Sequence, residues 1–212
     1  MGPSIGSPRP DSEDTRQLLD QAAAGDPTAA GELLARHRDA LRAFVALHLD
    51  PRVRTRVDPS DIVQEALADI AGRLGDYLER RPMAFHLWAR RTAYERLLNA
   101  HRNNHAARRN VAREATGADP SSVALARSLL VAGPSPSEVV AARELADRVA
   151  AAIEALDASD REILLMRHAE ELPYDEIGVL LGIEPATARK RYGRALIRLQ
   201  QILAERGILG DV

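Results

Sequence analysis

Cysteine is absent from the 212-residue chain, so disulfides, thiolate metal sites and cysteine nucleophiles are excluded. Lysine is nearly absent as well: one residue, Lys190, stands against twenty-eight arginines. With alanine abundant, that ratio is what a GC-rich genome produces, and alone it says nothing about function. No apolar run approaches the length needed to span a bilayer, and the opening MGPSIGSPRPDSED lacks the apolar centre of a signal peptide. A soluble, cytoplasmic protein without membrane insertion is the expectation. Nucleophile and base pairs, phosphate-cradling glycine loops and catalytic carboxylate pairs are also missing, which argues against an enzyme. His101 and His105 have a metal-ligand spacing, but no cysteine and no acid in the adjoining turns completes a site. Neither a metal nor a cofactor is expected.

What is present is charge, unevenly placed. The formal net charge of −2 conceals two basic islands. Nine arginines and one acid, Glu95, fall between Arg80 and Arg113, and six basic residues and one acid between Ala186 and Arg206. Between these islands, Asp157 to Glu184 holds eight acids against two arginines. Two cationic patches in an acidic frame point to two separate contacts with a polyanion.

Apolar residues recur at three and four along nearly the whole chain and almost nowhere at two, so the fold is all-α. Residues 1–14, rich in Pro, Gly and Ser, read as a disordered tail. A first helix spans about Thr15 to Ala24. Two more begin with aspartate followed by proline, at Asp26 and Asp58, the pairing of an N-cap with proline at the first helical position. Another long helix follows Pro82. These make one domain, 15–114. The stretch 115–136 mixes Gly, Pro and Ser and reads as a flexible linker. Residues 137–212 form a second small domain with helices at Ser137 to Leu156, Ala158 to Ala169, Tyr174 to Leu181 and Pro185 to Ala204. The short link after Gly182 is what a helix-turn-helix needs.

On the last helix, Ala188, Tyr192, Ala195, Leu196, Leu199, Ile202 and Leu203 share one side. Thr187, Lys190, Arg191, Arg194 and Arg198 share the other, with Arg189 on the flank. A solvated face is the common explanation of such a pattern. Here the short preceding helix, the tight turn and the lack of balancing acids favour a recognition helix, whose N-terminal residues enter the major groove. In DPSDIVQEAL, Ile62, Val63, Ala66 and Leu67 face inward while Asp61, Gln64 and Glu65 project outward, which solvation alone would explain. In MAFHLWARRTAYERLLNAHR, Trp88 at helical spacing from Phe85 is most simply core. The arginines around it are too numerous for that account, and a basic face beside a few aromatics can hold an unstacked strand.

Together these segments resemble the extracytoplasmic-function (ECF) class of bacterial RNA polymerase sigma factors, over about residues 36–113 and 139–203. DPSDIVQEAL looks like the helix that docks on the coiled coil of the largest polymerase subunit. MAFHLWARRTAYERLLNAHR looks like the segment that opens and reads the minus-ten promoter element. The run from Leu156 to Leu199 is similar to region four, whose helix-turn-helix reads the minus-thirty-five element and contacts the flap of the second-largest subunit. The resemblance implies a promoter-specificity subunit with core RNA polymerase and promoter DNA as partners. By position it assigns Asp61, Gln64 and Glu65 to polymerase docking, and Phe85, Trp88, Arg90, Arg91, Asn99 and Arg102 to the minus-ten element. Glu79 to Pro82 lie near a loop that captures a flipped base, and Thr187, Arg189, Lys190, Arg191 and Arg194 fall on the recognition helix. Glu95, Pro173 and Glu184 depart from the family pattern, the first where relatives often carry a neutral polar residue, the others where they carry capping Ser or Thr. Whether an anti-sigma factor or a regulatory kinase restrains the protein is left open by the sequence.

Overall fold

The computed structural model describes residues 9–107, 119–130 and 139–208, and among them every regular element is helical. The chain divides into two compact units.

The N-terminal unit contains α1 (Glu13–Ala23), α2 (Pro27–His48), the short α3 (Pro51–Arg54), α4 (Pro59–Arg80) and α5 (Phe85–Ala107). The two aspartate–proline starts act as the sequence requires. Asp26 accepts the Thr28 N–H at 2.8 Å, and Asp58 accepts the Ser60 N–H at 2.7 Å. The N–H of Ser60 holds the exposed Asp58 carboxyl below its ordinary pKa. Leu33, Leu41, Phe44, Val45, Ile70, Phe85, Leu87 and Leu97 are buried where α2, α4 and α5 meet.

Part of the expected tail belongs to this unit. Helix α1 starts at Glu13, with Ser12 as its N-cap accepting the Thr15 N–H at 3.3 Å. Just before it, Asp11 reaches α5. Its carboxylate accepts the backbone N–H of Phe85 at 2.7 Å and of His86 at 3.0 Å, and lies 3.0 Å from His86 Nδ1. Residue 84 is alanine and has no side-chain acceptor, so the first turn of α5 is capped from 74 residues away. Residues 1–8 of the tail lie outside the described residues.

The C-terminal unit contains α6 (Pro120–Leu129), α7 (Val139–Glu154), α8 (Ala158–Leu164), a π-helical turn (Leu165–Ala169), α9 (Tyr174–Leu181) and α10 (Pro185–Glu205). Helix α6 falls inside the stretch expected to be linker. Its start is a third aspartate–proline pair: Asp119 accepts the Ser121 N–H at 2.9 Å, and Pro120 sits in the first turn. Leu125 and Ala126 are fully buried as α6 packs on α7 and the π turn. Asp119 N–H donates to Glu154 Oε1 at 2.6 Å, tying the helix start to the end of α7. The rest of the expected linker, residues 115–118 and 131–136, lies outside the described residues. The expected helix from Ala158 to Ala169 is divided, its last turn being π-helical, and Glu170 N–H reaches back to the Leu165 carbonyl at 3.2 Å.

Candidate nucleic-acid interface

The turn between α9 and α10 depends on two glycines. Ile183 N–H donates to the Gly178 carbonyl at 2.9 Å, and a Cβ on Gly178 would meet the Ile183 carbonyl oxygen at 2.7 Å. Gly182 closes α9 in the left-handed region at φ 65°. Pro185 then opens α10, while Pro173 and Glu184, at the two N-cap positions, make no side-chain cap bond. Packing supplies what the caps do not: Ala188, Ala195 and Leu199 are buried and lay α10 across α8 and α9.

That packing decides which cations face outward. Thr187, Arg189, Lys190 and Arg194 are exposed, and Arg191 is half-buried. All five fall within the first three turns of α10. Arg198, which the helical pattern groups with them, is engaged elsewhere: it donates to the buried carboxylate of Asp160, with Asp157 at 3.9 Å. Asp160 first, by hydrogen bond and by charge, raises the Arg198 pKa.

In the N-terminal unit, Asp61, Gln64 and Glu65 are all exposed on α4 because Ile62, Val63, Ala66 and Leu67 are buried on its other side. Glu65 also lies 3.7 Å from Arg96 Nη1. The Arg96 guanidinium forks onto Asp69, with Nη2 to Oδ1 at 2.6 Å, and so locks α5 to α4. Neither Arg96 nor Asp69 stands out in the sequence as a functional residue.

The residues assigned to the minus-ten element separate into two groups. Phe85 is 0% and Trp88 7% exposed, so neither offers an open ring face to a base in this structure. They pack with Tyr77 beneath the loop after α4: Tyr77 stacks on Trp88 at 4.6 Å and 27°, and meets Phe85 edge-on at 5.4 Å. The Tyr77 hydroxyl donates to the Met83 carbonyl at 2.9 Å, and burial pushes its pKa up to about 12. Above this floor Arg81 takes a left-handed conformation (φ 38°) and pairs with Asp20 at 2.7 Å. Residues Glu79 to Pro82 are exposed.

Arg90 is half-buried, its guanidinium 5.5 Å from the Phe44 ring centroid. Arg91, Asn99 and Arg102 line the open face of α5. Arg91 Nε donates to Glu95 Oε1 at 3.2 Å, so the unexpected acid is internally paired, and Arg102 donates to the Asn99 side-chain carbonyl. Leu98, between them, is one of two large apolar side chains exposed among the described residues. His101, of the metal-like pair, accepts the Asp50 N–H at Nε2 (3.3 Å), and the side chain of His105 lies outside the described residues.

The second unit is thus a helix-turn-helix with a cationic leading face, joined in one chain to an all-helical unit that carries an acidic and a basic surface. Residues 146–199 match the family described as Sigma-70, region 4. The RNA polymerase sigma factor CnrH of Cupriavidus metallidurans is 29% identical over 189 residues, covering 89% of this chain and 93% of the relative. The structure of CnrH in complex with the cytosolic domain of CnrY superposes with TM-score 0.54 at 23% identity, over 91% of this chain and 99% of that one. The sigma factor RpoE in complex with the anti-sigma factor NepR from Bartonella quintana matches with TM-score 0.54 at 18% identity, over 82% and 96%. Over most of its length the chain is similar to a bacterial RNA polymerase sigma factor, and residues 146–199 carry the region-4 match. Among the described residues no helix is long and apolar enough to cross a membrane.

Proposed function

We propose that the protein is a promoter-specificity subunit, which binds core RNA polymerase and directs transcription initiation at selected promoters. The observation that carries the proposal is the helix-turn-helix inside the region-4 match, with Thr187, Arg189, Lys190, Arg191 and Arg194 on the outward side of α10. Arginine forks bond guanine bidentately or hold phosphate, and a leading face of this kind reads duplex DNA in the major groove. Asp61, Gln64 and Glu65 are the docking face for the largest subunit's coiled coil, and the C-terminal unit also meets the flap of the second-largest subunit. Arg91, Asn99 and Arg102 hold the melted minus-ten strand, over a loop kept in shape by Phe85, Trp88 and Tyr77. Arg90, half-buried on Phe44, sits at the edge of that surface. Polymerase binding energy drives melting, so no nucleotide hydrolysis by this chain is required.

CnrH was solved in complex with the cytosolic domain of CnrY, and RpoE in complex with the anti-sigma factor NepR. We extend this to the present chain: a protein anti-sigma factor holds it inactive until released. Run-off transcription with core polymerase and this protein on a promoter library tests the function. Promoter-selective transcripts that vanish without the protein are expected. Failure on every promoter, with tight duplex binding by the protein alone, would replace the proposal with a stand-alone DNA-binding regulator.

A further inference from the structure

Aromatic side chains are scarce in this chain, and their placement differs between its units. Phe44, Tyr77, Phe85, Trp88 and Tyr94 are buried in the N-terminal core. The remaining two, Tyr174 and Tyr192, are only half-buried, and both stand at the leading end of the helix-turn-helix. Tyr174 opens α9 and Tyr192 lies in the second turn of α10, their rings meeting edge-on at 5.8 Å and 65°. The Tyr174 ring has two guanidinium neighbours, Arg167 at 5.3 Å from the π turn and Arg189 at 5.2 Å from α10. Among the described residues neither arginine is paired with a carboxylate.

Two members of the group are anchored by hydrogen bonds. Arg167 Nη1 donates to the Leu172 carbonyl at 3.3 Å, fixing that guanidinium from behind. The Tyr192 hydroxyl lies 2.8 Å from His168 Nε2, joining α10 to the π turn. A core role does not explain the cluster, because the core beside it is already closed by Leu172, Ile177 and Ala188, each fully buried. A long arginine at an exposed helix position ordinarily samples many rotamers, and an aromatic face removes part of that freedom before any ligand arrives.

We propose that Tyr174 is a specificity-determining positioning residue: its ring holds the Arg189 guanidinium in the orientation from which it reads one base of the upstream promoter element. The inference rests on the proposed promoter-binding function and deepens it. Tyr174 makes no base contact of its own. Arg189 reads the base, Arg167 braces the ring from the π turn, and the hydrogen bond between His168 and Tyr192 ties that turn to α10. The planar ring carries the effect and the Tyr174 hydroxyl does not.

The test is the base-preference profile of reconstituted holoenzyme, full-length protein with core polymerase, on promoters randomised across the upstream element. Arg189→Ala should flatten preference at a single position. Tyr174→Leu, which keeps apolar volume but removes the ring, should weaken preference at that same position by about two- to five-fold, the value of an exposed cation–aromatic contact. Tyr174→Phe should match the parent. The double variant Tyr174→Leu with Arg189→Ala should be no worse than Arg189→Ala alone, the signature of one residue acting through the other. A Tyr174→Leu profile with equal loss at every position overturns the inference, as does an unchanged profile or a Tyr174→Phe variant that behaves like Leu. A parent holoenzyme with no base preference in this element would instead overturn the promoter-reading function, and the positioning role with it.

Discussion

Replacing Asp11 with alanine should destabilise the N-terminal unit far more than its place near the chain start would indicate. Its carboxylate is 8% exposed, accepts two backbone N–H groups at the start of α5, and lies against His86 Nδ1. Losing an N-cap typically costs about 0.5–2 kcal/mol, and each buried donor left without an acceptor costs about 1–3 kcal/mol. The two N–H groups are only partly buried, so we expect a combined loss of about 2–4 kcal/mol. With a urea dependence of about 2 kcal/mol per molar, the midpoint falls by about 1–2 M. Trp88 is the only tryptophan and lies buried in this unit, so its fluorescence reports this transition and not that of the C-terminal unit. Asp11→Asn retains one acceptor oxygen and should fall between the parent and Asp11→Ala. The pH dependence gives a second check. Burial raises the Asp11 pKa, but hydrogen bonds from His86 and Phe85 together outweigh it and hold the carboxyl below 3.8. The stabilisation is therefore complete above the unfolded value and is lost as pH falls through the folded one, and Asp11→Asn should remove that slope. A Trp88 midpoint unchanged by Asp11→Ala would refute the remote cap.

Leu125→Ala should cost about 2–5 kcal/mol in the C-terminal unit, because Leu125 is fully buried; a flexible linker would show no loss in a calorimetric scan. Gly178→Ala drives a methyl to 2.7 Å from the Ile183 carbonyl, which should open the helix-turn-helix and abolish upstream-element binding while leaving the Trp88 transition unchanged. His37 should make the N-terminal unit acid-sensitive. Burial first, then the charges of His86 and Arg36, lower its pKa against the opposing pull of Asp11. The unfolded chain takes up the proton first as pH falls below 6.5, so stability drops from there toward the folded value, and His37→Gln should flatten the Trp88 midpoint across that window.

The helical content and the two aspartate–proline starts of α2 and α4 were legible because their signals are local, lying within three residues of each other. The same signal stands at Asp119, but the Gly, Pro and Ser around it carry linker composition and mask the helix whose buried side Leu125 and Ala126 supply. The Asp11 cap was not legible at all: no periodicity links a residue to a helix start 74 positions later. Tyr174 escaped for a related reason. Its two arginine neighbours lie on separate elements, one seven residues before it and one fifteen after, and only the packed turn brings them to one ring.

The two basic islands differ in how many of their cations are already paired. In the first island, Arg81 is paired with Asp20, Arg91 with Glu95, and Arg96 with Asp69 and Glu65, while Arg108, Arg109 and Arg113 lie outside the described residues. These pairs differ in what DNA could do to them. The Arg91 pair is about half exposed on both sides, and such contacts contribute only about 0–1 kcal/mol, so a phosphate can displace Glu95 and turn the misplaced acid into a competitor. The Arg96 fork sits on a less exposed carboxylate and ties two helices, so it stays structural. On α10, by contrast, Lys190, Arg191 and Arg194 have no carboxylate to leave, among the described residues. On the proposed function this asymmetry orders the two contacts. Upstream duplex binding needs no ion pair broken, whereas strand capture at α5 exchanges Glu95 for phosphate. Glu95→Gln should therefore favour the melted complex without altering upstream-element affinity, and permanganate footprinting of the minus-ten region, compared with duplex binding, reads the two separately. Equal gains in both would mean that Glu95 acts only through the field of the whole chain.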